Sequence, residues 1–179
     1  MTVLKKVFAA IIVLAVVIIA AAGAFVLLQP SSGTSSGIVS IYVKDASTDW
    51  KYVNVTFSEV QIHQASGGND SGWQTISMEN STIDLAALTN ISQLLGSSSV
   101  PAGNYTQIRI VVISVTGMMN NGTNVTFNVP SGELKTTHPF EIVAGNTRSF
   151  TIDVDLQQSI VQNPNGWTFK PVLGAVIDG

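Results

Sequence analysis

The chain has 179 residues, enough for one ordinary domain or a small domain with an appendage. Only 11% of them are charged against 45% apolar, where about a quarter charged is usual, and this excludes a disordered acidic or basic tail. A net charge of −3 argues against nucleic acid, and the absence of cysteine excludes a disulfide framework, a thiolate metal site and a Cys nucleophile.

Taken in chain order, Lys5 and Lys6 precede an uninterrupted apolar run from Val7 to Leu28. As a helix this run spans roughly 33 Å, matching a hydrocarbon core of about 30 Å. The lysines before it, with no basic residue after it until Lys44, place residues 1–6 in the cytoplasm and the remainder outside. A cleaved signal peptide is the competing reading, with an apolar core over Val7 to Ile19 and a cut after Ala22-Gly23-Ala24. Phe25 to Leu28 continue the apolar run past that cut, so an uncleaved signal-anchor over 7–28 is preferred, with the lipid bilayer as its partner. No Cys follows the run, which excludes a lipoprotein anchor. Residues 29–37 form a polar Gly/Ser linker, and 38–179 form the exported domain. With Lys5 and Lys6 set aside, that part carries six Lys and Arg against eleven Asp and Glu.

From Gly37 onward the pattern alternates with period two. Val39, Ile41 and Val43 share a face, as do Val53, Val55 and Phe57. Val60 and Ile62 resume one residue out of phase, which predicts a β-bulge near Ser58-Glu59. Ile108 to Val112 reads as a central buried strand, while Val125, Phe127 and Val129, then Phe150, Ile152, Val154 and Leu156, repeat the alternation. Turn signals such as Gly67-Gly68-Asn69-Asp70, Asn120-Asn121-Gly122 and Asn163-Pro164-Asn165-Gly166 separate the runs. The expected fold is all-β: an antiparallel sandwich of seven or eight strands behind one transmembrane helix. Leu85, Leu88, Leu94 and Leu95 fit a helical stripe, with Asp84 as N-cap and Gly96 as stop, and predict one short helical segment.

The strongest chemical signal is Asn-x-Ser/Thr, at Asn54, Asn69, Asn80, Asn90, Asn104, Asn121 and Asn124. Chance pairing of this composition gives roughly two such triplets, so seven mark a chain suited to N-glycosylation, as on a heavily glycosylated archaeal cell surface. Asp153 and Asp155 share a strand face, and a calcium reading would join them to Asp45 or Asp84. No calcium-loop pattern is present, so solvated or capping carboxylates are the plainer reading, and no metal or other cofactor is expected. His63 and His138 stand apart from other ligand-type residues, and no Gly-x-Ser-x-Gly elbow exists, so no catalytic residue is assigned. Trp50, Trp73 and Trp167, with Tyr42, Tyr52 and Tyr105, are the side chains a sugar-binding face would use, although core packing also accounts for them.

Several phrases carry a family resemblance when taken together. They are Asp45-Ala46, Ile83-Asp84-Leu85-Ala86-Ala87-Leu88, Leu94-Leu95-Gly96, the run Pro101 to Arg109, Val129 to Lys135, Asp153 to Val161, and Lys170-Pro171-Val172. In this order and spacing the chain resembles the family called domain of unknown function 4382, exported β-rich domains of bacteria and archaea, over about Gly37 to Ile177. The family often has Pro after Asp-Ala, where this chain has Ser47. The resemblance implies a sandwich-like extracytoplasmic module and carries no activity. A strand-borne Arg109 needs a partner, and Asp84, Asp153 and Asp155 are the candidates for one structural charge cluster.

The expected function is a membrane-anchored cell-surface domain with a structural, adhesive or protein-interaction role, contacting a surface protein or a glycan, and not an enzyme. The alternatives are a glycan-binding module of the envelope, or a secreted subunit assembling by strand donation after signal cleavage.

Overall fold

A computed structural model describes residues 35–45, 49–66 and 72–179. The expected membrane span at 7–28, most of the linker, Ser47 and Asn69 lie outside these residues. Among the described residues no helix is long and apolar enough to cross a membrane.

The described chain is all-β. Its strands are β1 (Ser36–Lys44), β2 (Trp50–Gln64), β3 (Trp73–Ile76), β4 (Thr82–Asp84), β5 (Gln93–Pro101), β6 (Gly103–Met119), β7 (Asn124–Thr126), β8 (Glu133–Ile142), β9 (Thr147–Val154), β10 (Ile160–Asn163), β11 (Gly166–Phe169) and β12 (Leu173–Asp178). A 3-10 turn, Leu85–Ala87, and one turn of helix, α1 (Leu156–Ser159), interrupt them. One sheet has the order β12-β9-β1-β5. The second runs β3-β2-β6-β7, with β4 also on β2 and β8 also on β6, while β10 and β11 form a separate hairpin.

Alternation decides which side chains go inward. Val39, Ile41 and Val43 on β1 and Phe150, Ile152 and Val154 on β9 are buried, and they meet Val55, Phe57, Ile62, Ile108 and Ile110 of the second sheet in one hydrophobic cluster. The phase slip in β2 is a bulge: its pairing with β6 shifts between Thr56 and Phe57 and again between Phe57 and Glu59. That shift keeps Val60 and Ile62 on the core face after Phe57. The expected central strand is β6, held by β2 along one side and by β7 and β8 along the other.

Four expectations change. The structure has twelve strands among the described residues rather than seven or eight, because three- and four-residue pieces such as β4, β10 and β11 pair where no alternation is long enough to read. The first sheet is mixed: β1 pairs β5 antiparallel but β9 parallel. Side-chain alternation fixes a strand's face and leaves its direction open. The helical stripe also breaks. Leu85 and Leu88 sit at the 3-10 turn, while Leu94, Leu95 and Gly96 belong to β5. Gly96 acts by close approach and stops no helix, since a Cβ there would lie 2.5 Å from the Ser77 carbonyl oxygen. Segment 77–80 covers that edge of β5, with Ser97 N–H donating to Ser77 O and Glu79 N–H to Leu95 O. Ser36 and Gly37, expected in the linker, belong to β1 and pair with Pro101 and Val100.

Candidate functional site

The expected charge cluster of Asp84, Arg109, Asp153 and Asp155 does not assemble. Arg109 points outward from β6, and its Nε lies 3.4 Å from Glu133 Oε1. Its guanidinium sits 3.9 Å from the centre of the Trp73 ring and donates to Gln61 Oε1 at 3.4 Å. Asp84 instead ties two backbone ends together, accepting from Val53 N–H at 2.8 Å and from Ala86 N–H at 3.2 Å. Asp153 is on the other sheet, opposite Lys44 across the parallel β1–β9 pair, and the two form an ion pair at 3.4 Å. Asp155 caps α1, accepting from Gln158 N–H at 2.9 Å and from the Gln158 amide at 2.6 Å. The reason is register. Which carboxylate faces Arg109 depends on how β8 lies against β6, and β8 brings Glu133 beside it.

Two residues with structural work were missed. Glu133 is one, and only the β6–β8 pairing reveals it. Asp45 is the other: it is buried, and its Oδ1 accepts from Leu156 N–H at 3.1 Å, tying the end of β1 to the start of α1. The cap at Asp155 had a local signal, because an acidic residue three positions before Gln158 follows the capping-box spacing.

The histidines sit in different surroundings. His63 is buried, edge-on to Trp73 at 4.9 Å, with Nδ1 3.4 Å from Thr106 Oγ1. His138 Nε2 lies 2.7 Å from Asp178 Oδ1, and Arg148 donates to Asp178 Oδ2 at 3.0 Å. Burial pushes the Asp178 carboxyl up, but hydrogen bonds and charge from His138 and Arg148 outweigh it and hold the group below its ordinary range. This trio links β12, at one margin of the first sheet, to β8 of the second. Among the described residues no group of three or more His, Asp or Glu could hold a metal ion. The Tyr105 hydroxyl donates to Pro101 O at 2.8 Å, fixing the turn into β6, and burial pushes its pKa up.

Six of the seven Asn-x-Ser/Thr sites fall within the described residues. Asn90, Asn104, Asn121 and Asn124 are exposed, and Asn54 and Asn80 are half-buried. The amide oxygens of Asn121 and Asn124 accept from Thr123 N–H at 3.0 Å and from the Tyr52 hydroxyl at 3.1 Å. Those bonds leave out the amide nitrogen, the atom a glycan joins. Asn80 differs, because its amide nitrogen donates to Leu94 O at 2.9 Å. Asn54, Asn104 and Asn124 stand on β2, β6 and β7, all in the second sheet, while none of the six stands on β1, β5, β9 or β12. Asn80 and Asn90 lie against the first sheet: Asn80 at the β5 edge, and Asn90 lining a groove together with Lys44, Thr151 and Ile177.

A further surface feature is aromatic. Trp50, at the start of β2, meets Trp167 of β11 at 5.2 Å between ring centres and an angle of 84°. Phe127 backs Trp50 at 5.1 Å. Main-chain bonds hold Trp167 in place: Asn128 N–H donates to Trp167 O at 2.9 Å and Phe169 N–H to Asn128 O at 2.8 Å. Beside the two rings a groove of about 350 Å³ is lined by Asp49, Leu156, Gln157 and Ile160.

Comparison with known proteins adds one strong likeness. A family model described as Domain of unknown function (DUF4382) matches residues 36–171. No curated protein matches the chain. A solved structure described as the NMR structure of the protein from Eubacterium rectale is 14% identical, covering 81% of this chain and 94% of its own, with a TM-score of 0.25. At that score the likeness bears on neither fold nor function.

Proposed function

The chain belongs to the DUF4382 family, to which no activity is assigned, and we propose that it is a membrane-anchored, glycosylated β-sandwich of the cell surface that works by contact and not by catalysis. The observation that carries this reading is the uneven distribution of Asn-x-Ser/Thr sites, three of the six described ones standing on strands of the second sheet and none on a strand of the first. A glycan is bulky and hydrated, so it screens the face that bears it. Asn54, Asn104 and Asn124 stand on strands of the second sheet and Asn90 at the groove of Lys44, Thr151 and Ile177, so the Ser97–Ser40–Ser149 row of the first sheet is the part left open to a neighbouring surface protein.

Further support comes from the commitments of the ionisable side chains. Asp84 and Asp155 hold backbone N–H groups, Asp153 is paired with Lys44, Arg109 with Glu133, and Asp178 with His138 and Arg148. Groups so engaged hold the fold together. The apolar run 7–28 supplies the anchor and fixes the orientation.

Two experiments test this reading. Protease added to intact spheroplasts removes the domain if it lies outside, whereas cleavage only in inverted vesicles contradicts the orientation. The second uses Ser149→Asn, which turns residues 149–151 into a new glycosylation triplet on the outer face of β9. The expected product in the native host carries additional glycan mass and loses its crosslinks to neighbouring proteins. Added mass with crosslinking unchanged contradicts a contact role for that face.

A further inference from the structure

We propose that the groove beside Trp50 and Trp167 is a saccharide-binding subsite that takes one or two neutral pyranose units. This deepens the proposed surface role and rests on it. The argument starts from the rings. Their centres are 5.2 Å apart at 84°, so the edge of one touches the face of the other. Rings in contact cannot close around a guest, because a cation held between two indole faces needs them separated by more than its own diameter. Instead they form a bent apolar platform. A pyranose offers the complementary shape, with a flat face of C–H groups for the rings and a rim of hydroxyls for polar partners.

Those partners are present. The Asp49 side chain can accept, and the Gln157 amide can both donate and accept, and both line the groove with the rings. Half-buried Ile160 adds apolar surface, and Leu156 at the groove is buried. The groove's volume of about 350 Å³ falls at the lower end of ligand pockets, about 300–1,000 Å³. The platform is also held in advance of binding. Phe127 backs Trp50, and the Trp167 carbonyl is pinned by Asn128, so little ordering entropy remains to be lost.

The test uses the full-length chain in a sugar-free detergent, with tryptophan emission titrated by chitobiose, by cellobiose and by choline chloride. The expected result is a saturable change with at least one disaccharide, half-complete in the millimolar range, and none with choline. Trp167→Ala should abolish it. Since that variant removes packing against Trp50 and Phe127, Gln157→Ala is the second probe. Gln157 is exposed, and at a temperature where its melting curve shows the variant folded it should bind the disaccharide about tenfold more weakly. A titration flat for both sugars to about 50 mM overturns the proposal, as does saturation unaffected by Gln157→Ala. Saturation by choline at lower concentration than by either sugar overturns it in favour of a cation site. Protease mapping of the domain outside the cell reads independently of all these outcomes, so failure of the sugar site and failure of the surface role are distinguishable.

Discussion

The two sheets share one core and present different outer faces. On the first sheet, register lines up Ser97, Ser40 and Ser149 in one row and Leu94, Tyr42, Thr151 and Ile177 in the next. The Ser40 and Ser97 hydroxyls lie 3.0 Å apart, and the charge in the adjoining row is the paired Lys44–Asp153. The second sheet carries Arg109, Glu133 and Lys135 around Trp73, together with Asn54 and Asn124. The same alternation that buries the inner residues leaves each outer face free to specialise. One face carries hydroxyl and apolar side chains, with Lys44 and Asp153 paired. The other took Arg109, Glu133 and Lys135 and three of the six described glycosylation triplets.

The largest expected effect erases the distinction, because it acts on what both faces share. Phe150 is fully buried on β9 and meets Phe140 of β8 at 4.5 Å between ring centres. Phe150→Ala should cost about 3–5 kcal/mol in urea unfolding and weaken both sheets together. Unfolding of one sheet alone, seen by hydrogen exchange, would show that the core is not common to them.

Single changes on the two faces should then differ. Arg109→Ala removes a stack on Trp73 and the contact with Glu133 from the second face, and should cost about 1–2 kcal/mol. Lys44→Ala breaks one part-exposed pair on the first face and should cost no more than about 1 kcal/mol. Equal costs in urea midpoints would remove the energetic side of the comparison.

The smallest effect is at the seam, where Asp178 joins β12 to β8. Its carboxyl is held below its ordinary value in the folded protein. The resulting stability is present above the unfolded pKa of about 3.9 and is lost as pH falls through the lower folded value. Urea midpoints should therefore drop in that acid window, and Asp178→Asn should flatten the drop. An acid profile identical in both proteins would show that the seam contributes nothing.

Much of this was legible before any coordinates, and the misses share a cause. Inward residues such as Val39, Ile41, Val55 and Ile152 follow from alternation, and the Asp84 cap follows from its place before an apolar pair. The bulge near Ser58-Glu59 was readable because Phe57 and Val60 cannot both face the core without it. What alternation omits is how strands lie against each other. The parallel β1–β9 pair, the covering of β5 by segment 77–80, and the choice of Glu133 over three aspartates for Arg109 are all matters of register. Leu94 and Leu95 misled because leucines at helical spacing satisfy a strand equally well when Gly96 lets another segment close over them. The Trp50–Trp167 platform joins positions far apart in the chain, so composition could name the rings without pairing them.

The most direct test of the contact role places a photocrosslinking residue at Ser40, on the outer face of the first sheet, or at Thr116, on the outer face of the second, in the glycosylated protein on intact host cells. The proposed role predicts crosslinks to a neighbouring surface protein from position 40 and few or none from position 116. Crosslinking from position 116 alone, or equally from both, would contradict it.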